Sequence, residues 1–184
     1  MSNTKVVAIS GTSGSGKTTI VKALAKEFSR PFLLFDDHID KNTYPQNMKN
    51  WLINGANVSL IKTPKFVTAL ESLISKNSND LIFIEEPFGK ERESMSSLID
   101  YVVLLDQPME LCLSRIIKRH TEQPDSDSIS SISNYLDKYE DHYRDIYISA
   151  VNQVRNNADL ILNEVASIKD TTNHISNWLK NNAK

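Results

Sequence analysis

The string Gly11-Thr12-Ser13-Gly14-Ser15-Gly16-Lys17-Thr18 constrains this chain more than any other feature of it. It joins a short β-branched run, Lys5–Ser10, to a stretch, Lys17–Ser29, in which Ile20, Val21, Leu24, Ala25 and Phe28 share one helical face. A strand that enters a helix through a glycine-rich turn has little freedom. The glycines take backbone angles that turn successive N–H groups toward one point at the helix N-terminus, which makes a nest for an anion. Lys17 adds a full positive charge, and the Thr18 hydroxyl is placed to ligate Mg²⁺. The pattern G-x-x-x-x-G-K-[ST] therefore reads as a cradle for nucleotide phosphates.

Downstream, apolar runs alternate with helical patterns. Phe32–Phe35, Leu81–Ile84, Tyr101–Leu105 and Asp159–Leu162 read as strands. Helices are expected from Pro64, behind a Thr63 N-cap, to about Lys76, from Pro108 to about His120, and from about Ile129 to Asn156. Val165, Ile168, Ile175, Trp178 and Leu179 mark a closing helix, and the polar stretch Thr121–Ser128 reads as a mobile loop. The order predicts an α/β fold: a P-loop NTPase with a doubly wound, parallel five-stranded sheet and helices on both faces. No repeat or linker divides the 184 residues, so one domain is expected over 1–184.

Charge narrows the partners. With 21 basic and 23 acidic residues the net charge is −2, so nothing favours a polyanion and nucleic acid is not an expected partner. Cys112 is the only cysteine, which excludes an internal disulfide and a thiolate metal cluster. The apolar stretch that ends at Ser10 is too short for a signal core or a membrane span, so a cytoplasmic protein that needs no membrane is expected. An assembly of identical chains is left open.

Several side chains outside the cradle carry chemistry. Asp36 and Asp37 follow the second strand, where an Asp either caps a turn or faces a ligand at the carboxyl end of the sheet. Glu85 and Glu86 close the third strand, and an acid at the end of a buried run is stabilised by a divalent cation. Arg115 and Arg119 share a helical face, where they either converge on a phosphate or form a solvated basic helix end, with Lys118 beside them and Arg144 a weaker candidate. Tyr139, Tyr143 and Tyr147 form a stripe that reads as packing. Trp51 either stacks on a planar ligand or anchors its loop, and His38 is the one histidine near the expected site. GTP-binding switches carry an Asn-Lys-x-Asp string, which is absent, so ATP is the expected nucleotide.

Taken in order, several segments point to one group. They are Ile9-Ser10-Gly11 leading into Ser13-Gly14-Ser15-Gly16-Lys17-Thr18-Thr19, Phe35-Asp36-Asp37, Ile84-Glu85, Leu104-Leu105-Asp106 with Arg115 and Arg119 beyond, and Ala158–Leu162. The chain resembles the uridine kinase-like group of P-loop small-molecule kinases, which includes uridine-cytidine kinases, nicotinamide riboside kinase and phosphoribulokinase. The resemblance covers roughly Lys5 to Asn163.

It implies an ATP-dependent transfer of the γ-phosphoryl group to a hydroxyl of a nucleoside-like acceptor. Gly11, Ser13, Gly14, Ser15, Gly16, Lys17, Thr18 and Thr19 would bind the nucleotide. Asp36 would be the base, Glu85 with Thr18 would support Mg²⁺, and Arg115 and Arg119 would belong to a lid over the phosphates. The acceptor segment is expected over 36–62 and the lid over 115–128. Where the group places aromatic residues after its Asp, this chain has Asp37-His38-Ile39, and Glu86-Pro87 stands where a Gly is common. Two other readings stay open. One is a nucleotide-monophosphate kinase-like enzyme, with Arg30, Lys41 and Lys49 as the nearby cations, and the other is a non-catalytic nucleotide-binding regulator.

Overall fold

A computed structural model describes residues 4–77, 80–122 and 128–183. Five parallel strands form one sheet: β1 (Lys5–Ser10), β2 (Phe32–Leu33), β3 (Leu81–Glu85), β4 (Tyr101–Leu105) and β5 (Leu160–Leu162). Their order is β2-β3-β1-β4-β5, so β1 and the turn it feeds lie at the centre of the sheet. Val7 pairs with Phe83 on one side and Tyr101 on the other, and Ile9 stands level with Glu85.

Alternation along β1 explains the two cores. Val6 and Ala8 face a cluster with Phe66, Leu70, Met95, Val151 and Val154, supplied by α3 (Pro64–Lys76), α4 (Glu93–Ser96) and α7 (Arg144–Arg155). Val7 and Ile9 face Ile20, Val21, Leu24, Ile175 and Leu179, supplied by α1 (Lys17–Phe28) and α8 (Ile168–Asn182). Helices therefore cover both faces, as the doubly wound reading requires. Among the described residues no helix is long and apolar enough to cross a membrane.

Several local expectations need correction. β2 stops at Leu33 because only Phe32 and Leu33 pair with β3; Leu34 and Phe35 leave the sheet and enter a 3₁₀ turn at Asp36–His38. Thr63 and Pro64 stand at the N-cap and first turn of α3 as expected, but the Thr63 side chain makes no capping hydrogen bond. Val165 precedes α8 rather than belonging to it. The long helix expected from Ile129 is α6 (Ser128–Lys138) joined to α7 through a π-helical turn at Tyr139–Tyr143. α5 (Met109–Glu122) runs past His120, and most of the expected loop lies at 123–127, outside the described residues.

A third apolar cluster lies beyond the sheet. Phe35, Trp51, Ala56, Val58, Ile61, Phe88, Ile146 and Ala150 pack together, drawing on α2 (Met48–Ile53), the 3₁₀ turn Val58–Leu60 and α7. This cluster floors one end of the cleft described next.

Candidate active site

The turn between β1 and α1 has the shape its glycines predicted. Gly11, Gly14 and Gly16 sit at φ +139°, +81° and +101°, in the region that glycine alone enters freely. Gly14 presses against α5 so closely that an added Cβ would stand 2.3 Å from the Cys112 carbonyl oxygen. Lys17 is buried, its Nζ donating to the Thr12 carbonyl at 2.8 Å and lying 3.7 Å from Glu85 Oε1. Burial pulls the Lys17 ammonium below its ordinary pKa, while the charges of Glu85 and then Asp36 pull it back up. The Ser15 hydroxyl is buried with no hydrogen-bond partner among the described residues.

Thr18 and Glu85 are in direct contact. The Thr18 hydroxyl donates to Glu85 Oε2 at 2.8 Å, which leaves its oxygen lone pairs available, and Glu85 is itself buried at the end of β3. These are hard oxygen donors, the chemistry that suits Mg²⁺. Among the described residues no group of three or more His, Cys, Asp or Glu could hold an ion, so phosphate oxygens would have to complete the shell.

A cleft of about 850 Å³ opens over the cradle. At one end it is lined by Gly11–Gly14, Gly16–Thr19 and Glu85, with Arg115, Lys118 and Arg119 from α5. Arg115 donates to the Gly14 carbonyl at 3.2 Å and to that of Ser15 at 3.5 Å, so it is tied to the cradle itself. Lys118 pairs with Glu122 one turn on. Arg119 lines the cleft without an ion pair among the described residues. Arg144, the weaker candidate, does not line it and lies 3.7 Å from Asp145.

The other end is apolar and aromatic. Phe35, Met48, Trp51, Ile61, Phe88 and Ile146 form its walls, and Asp36, Tyr44 and Tyr147 bring polar groups to it. Of the paired acids after β2, Asp36 lines the cleft and Asp37 does not. Trp51 is buried and its Nε1 donates to the Asn57 carbonyl at 2.8 Å, so it anchors its loop while lining the cleft. Tyr147 meets Tyr135 hydroxyl to hydroxyl at 3.1 Å, and the tyrosine stripe packs against itself as expected. Tyr44, which sequence reasoning missed, has its phenol pushed up to about 12 by desolvation and by the charge of Asp36. His38 is drawn away: its Nδ1 lies 2.9 Å from the Leu34 carbonyl and its ring packs on Phe66.

The second acid of the β3 pair has a different place. Glu86 is fully buried against Arg92, which no sequence signal singled out. Burial pushes the Glu86 carboxyl up, and the Arg92 charge and hydrogen bonds oppose that shift. Of the cations considered for a phosphorylated acceptor, none lines the cleft: Arg30 pairs with Asp80, Lys49 pairs with Asp141, and Lys41 lies outside the cleft wall.

Comparison with known proteins bears on the family and the fold. A family profile described as an AAA domain matches residues 10–133. The uridine kinase of Staphylococcus epidermidis is 23% identical, with 92% of this chain and 92% of the relative covered. That of Macrococcus caseolyticus is 25% identical, with 91% of each covered. Among solved structures, shikimate kinase from Aquifex aeolicus superposes with a TM-score of 0.54 at 19% identity, covering 97% of this chain and 98% of that one. Deoxyadenosine kinase from M. mycoides with bound dCTP gives 0.53 at 15% identity, covering 96% and 99%. These two likenesses carry the fold. With the profile matched over residues 10–133, the chain belongs to the AAA-domain family, and it is similar over most of its length to the uridine kinases its motifs resemble.

Proposed function

We propose that the chain is an ATP-dependent kinase that moves the γ-phosphoryl group of ATP to a hydroxyl of an uncharged, nucleoside-like small molecule. The observation that carries this reading is one cleft with two chemistries: a cationic phosphate cradle at one end, an aromatic chamber at the other, and the Asp36 carboxylate on its wall. The Asp36 charge opposes the burial-driven fall of the Lys17 pKa and adds to the rise of the Tyr44 phenol, so it is felt by the cradle and the chamber alike.

In this reading the cradle amides and Lys17 hold the β- and γ-phosphates. The acceptor oxygen bonds to the γ-phosphorus as its proton passes to an Asp36 oxygen. The bond from that phosphorus to the β,γ-bridging oxygen breaks, and ADP leaves. Thr18 and Glu85 would hold Mg²⁺, which offsets phosphate charge when bound. Arg119 adds charge from α5, and Arg115 steadies the cradle through its carbonyls. Phosphoryl transfer depends mainly on positioning and electrostatic stabilisation, so these groups suffice chemically.

A phosphorylated acceptor is less well supported, because the chamber wall offers no cation among the described residues. A regulator has no use for a carboxylate placed as Asp36 is. The reading is tested by ADP release from Mg·ATP with and without uridine, and then with other uncharged nucleosides. Stimulation by one or more of them supports it, and indifference to all of them overturns it.

A further inference from the structure

The two acids assigned roles above sit on different elements, Glu85 at the end of β3 and Asp36 at the start of a 3₁₀ turn. The residue beside each acid reaches the same buried group. Glu86, next to Glu85, accepts from Arg92 Nε at 3.1 Å and also from Arg92 Nη2. Phe35, next to Asp36, has its ring 5.3 Å from the Arg92 guanidinium carbon, and Phe88 packs at 5.9 Å. Arg92 Nη1 donates to the Thr63 hydroxyl at 2.7 Å and to the Ile61 carbonyl at 3.2 Å, which fastens the start of α3 and the chamber wall. The Glu86 carbonyl in turn accepts from the Ser10 hydroxyl at 2.7 Å, immediately before the cradle. Arg92 and Glu86 are both fully shielded from solvent.

A buried ion pair is a poor device for stability alone, because apolar replacements of similar volume are often neutral or better. Its directional bonds fix geometry instead. We propose that Arg92 is a positioning residue, which through Glu86 and Phe35 sets the placement of Glu85 and Asp36 relative to the cradle. The roles of the two acids rest on the function proposed above; the placement of Arg92 does not.

The test compares wild type with the apolar double variant Glu86→Leu/Arg92→Met and with Arg92→Lys, which keeps the charge but loses the fork. Three quantities are read: the melting temperature, the Mg²⁺ concentration needed for half-maximal binding of the fluorescent analogue mant-ATP, and transfer to uridine. The double variant is expected to stay folded with a melting temperature within a few degrees of wild type. Its Mg²⁺ requirement should rise about 10-fold, in the range seen when groups that orient a metal's ligands are removed. Transfer to uridine should fall about 100-fold, the effect of a displacement on the order of 1 Å. Arg92→Lys should fall between wild type and the double variant, and it decides alone if the double variant does not fold. An unchanged Mg²⁺ response in every folded variant overturns the inference. If wild type transfers nothing to uridine or to other nucleosides, the proposed function falls, and the mant-ATP titration still judges Arg92.

Discussion

Asp36 is exposed on the cleft wall, its charge felt at Lys17 and Tyr44, while Asp37 beside it faces elsewhere. Asn keeps the size and hydrogen bonding of Asp but cannot take a proton. Asp36→Asn is therefore expected to hold Mg·ATP affinity within a few fold and to lower kcat by roughly 10²–10⁴, with Asp37→Asn near wild type. Single-turnover transfer to the most active nucleoside reads this directly, and the reverse ranking would move the base to Asp37. Glu85→Gln should instead weaken the response to Mg²⁺, because it removes an anionic oxygen from the carboxylate that accepts the Thr18 hydrogen bond. Asp36 and Glu85 are legible in sequence as acids that follow strands, and both line the cleft. Arg92 is not legible: its role comes from Glu86, Ile61, Thr63 and Phe35, which only the fold brings together. Arg115 was found by spacing, yet its contact with the cradle carbonyls appears only in three dimensions.

The turn over residues 11–16 is an element seated closely on α5. Gly14 combines φ +81° with an approach to the Cys112 backbone that leaves no room for a methyl group, and neither Cys112 nor its helix can retreat without moving Arg115. Gly14→Ala should lower the melting temperature and weaken mant-ATP binding at least 10-fold, whereas Lys17→Ala should lose about 10²–10³ in rate with the fold kept. Wild-type mant-ATP binding by Gly14→Ala would show that the loop has another seat. Apolar periodicity located β1, β3, β4 and the major helices because burial on both faces leaves a plain signature. It overran at β2, an edge strand whose apolar run Leu34-Phe35 serves other packing after the pairing ends. The π turn at Tyr139–Tyr143 left no trace in the pattern, since its tyrosines keep packing on one another across it.

Across the whole molecule, the sheet carries the cradle at its centre, and the third apolar cluster sets an aromatic chamber beside it. Placing phenols in that chamber makes stability sensitive to alkali. Desolvation raises Tyr44 from 10.0 to about 12, and Tyr135 and Tyr147 also move upward. A raised pKa means that the fold favours the neutral phenol. The contribution is therefore complete below pH 10 and lost as pH climbs toward about 12, and the partial exposure of Tyr44 keeps its share small. Absorbance titration of the phenolates should show several late-titrating tyrosines, one fewer in Tyr44→Phe, and titration of every tyrosine near its ordinary value would contradict this. The same chamber, walled without a cation among the described residues, separates the acceptor classes. The most direct measurement follows the label from γ-³²P-ATP into product with uncharged nucleosides, nucleoside monophosphates and shikimate offered in parallel. The account predicts labelled product from an uncharged nucleoside and little from the two anionic classes; label passing only to an anionic acceptor, or only to water, would contradict it.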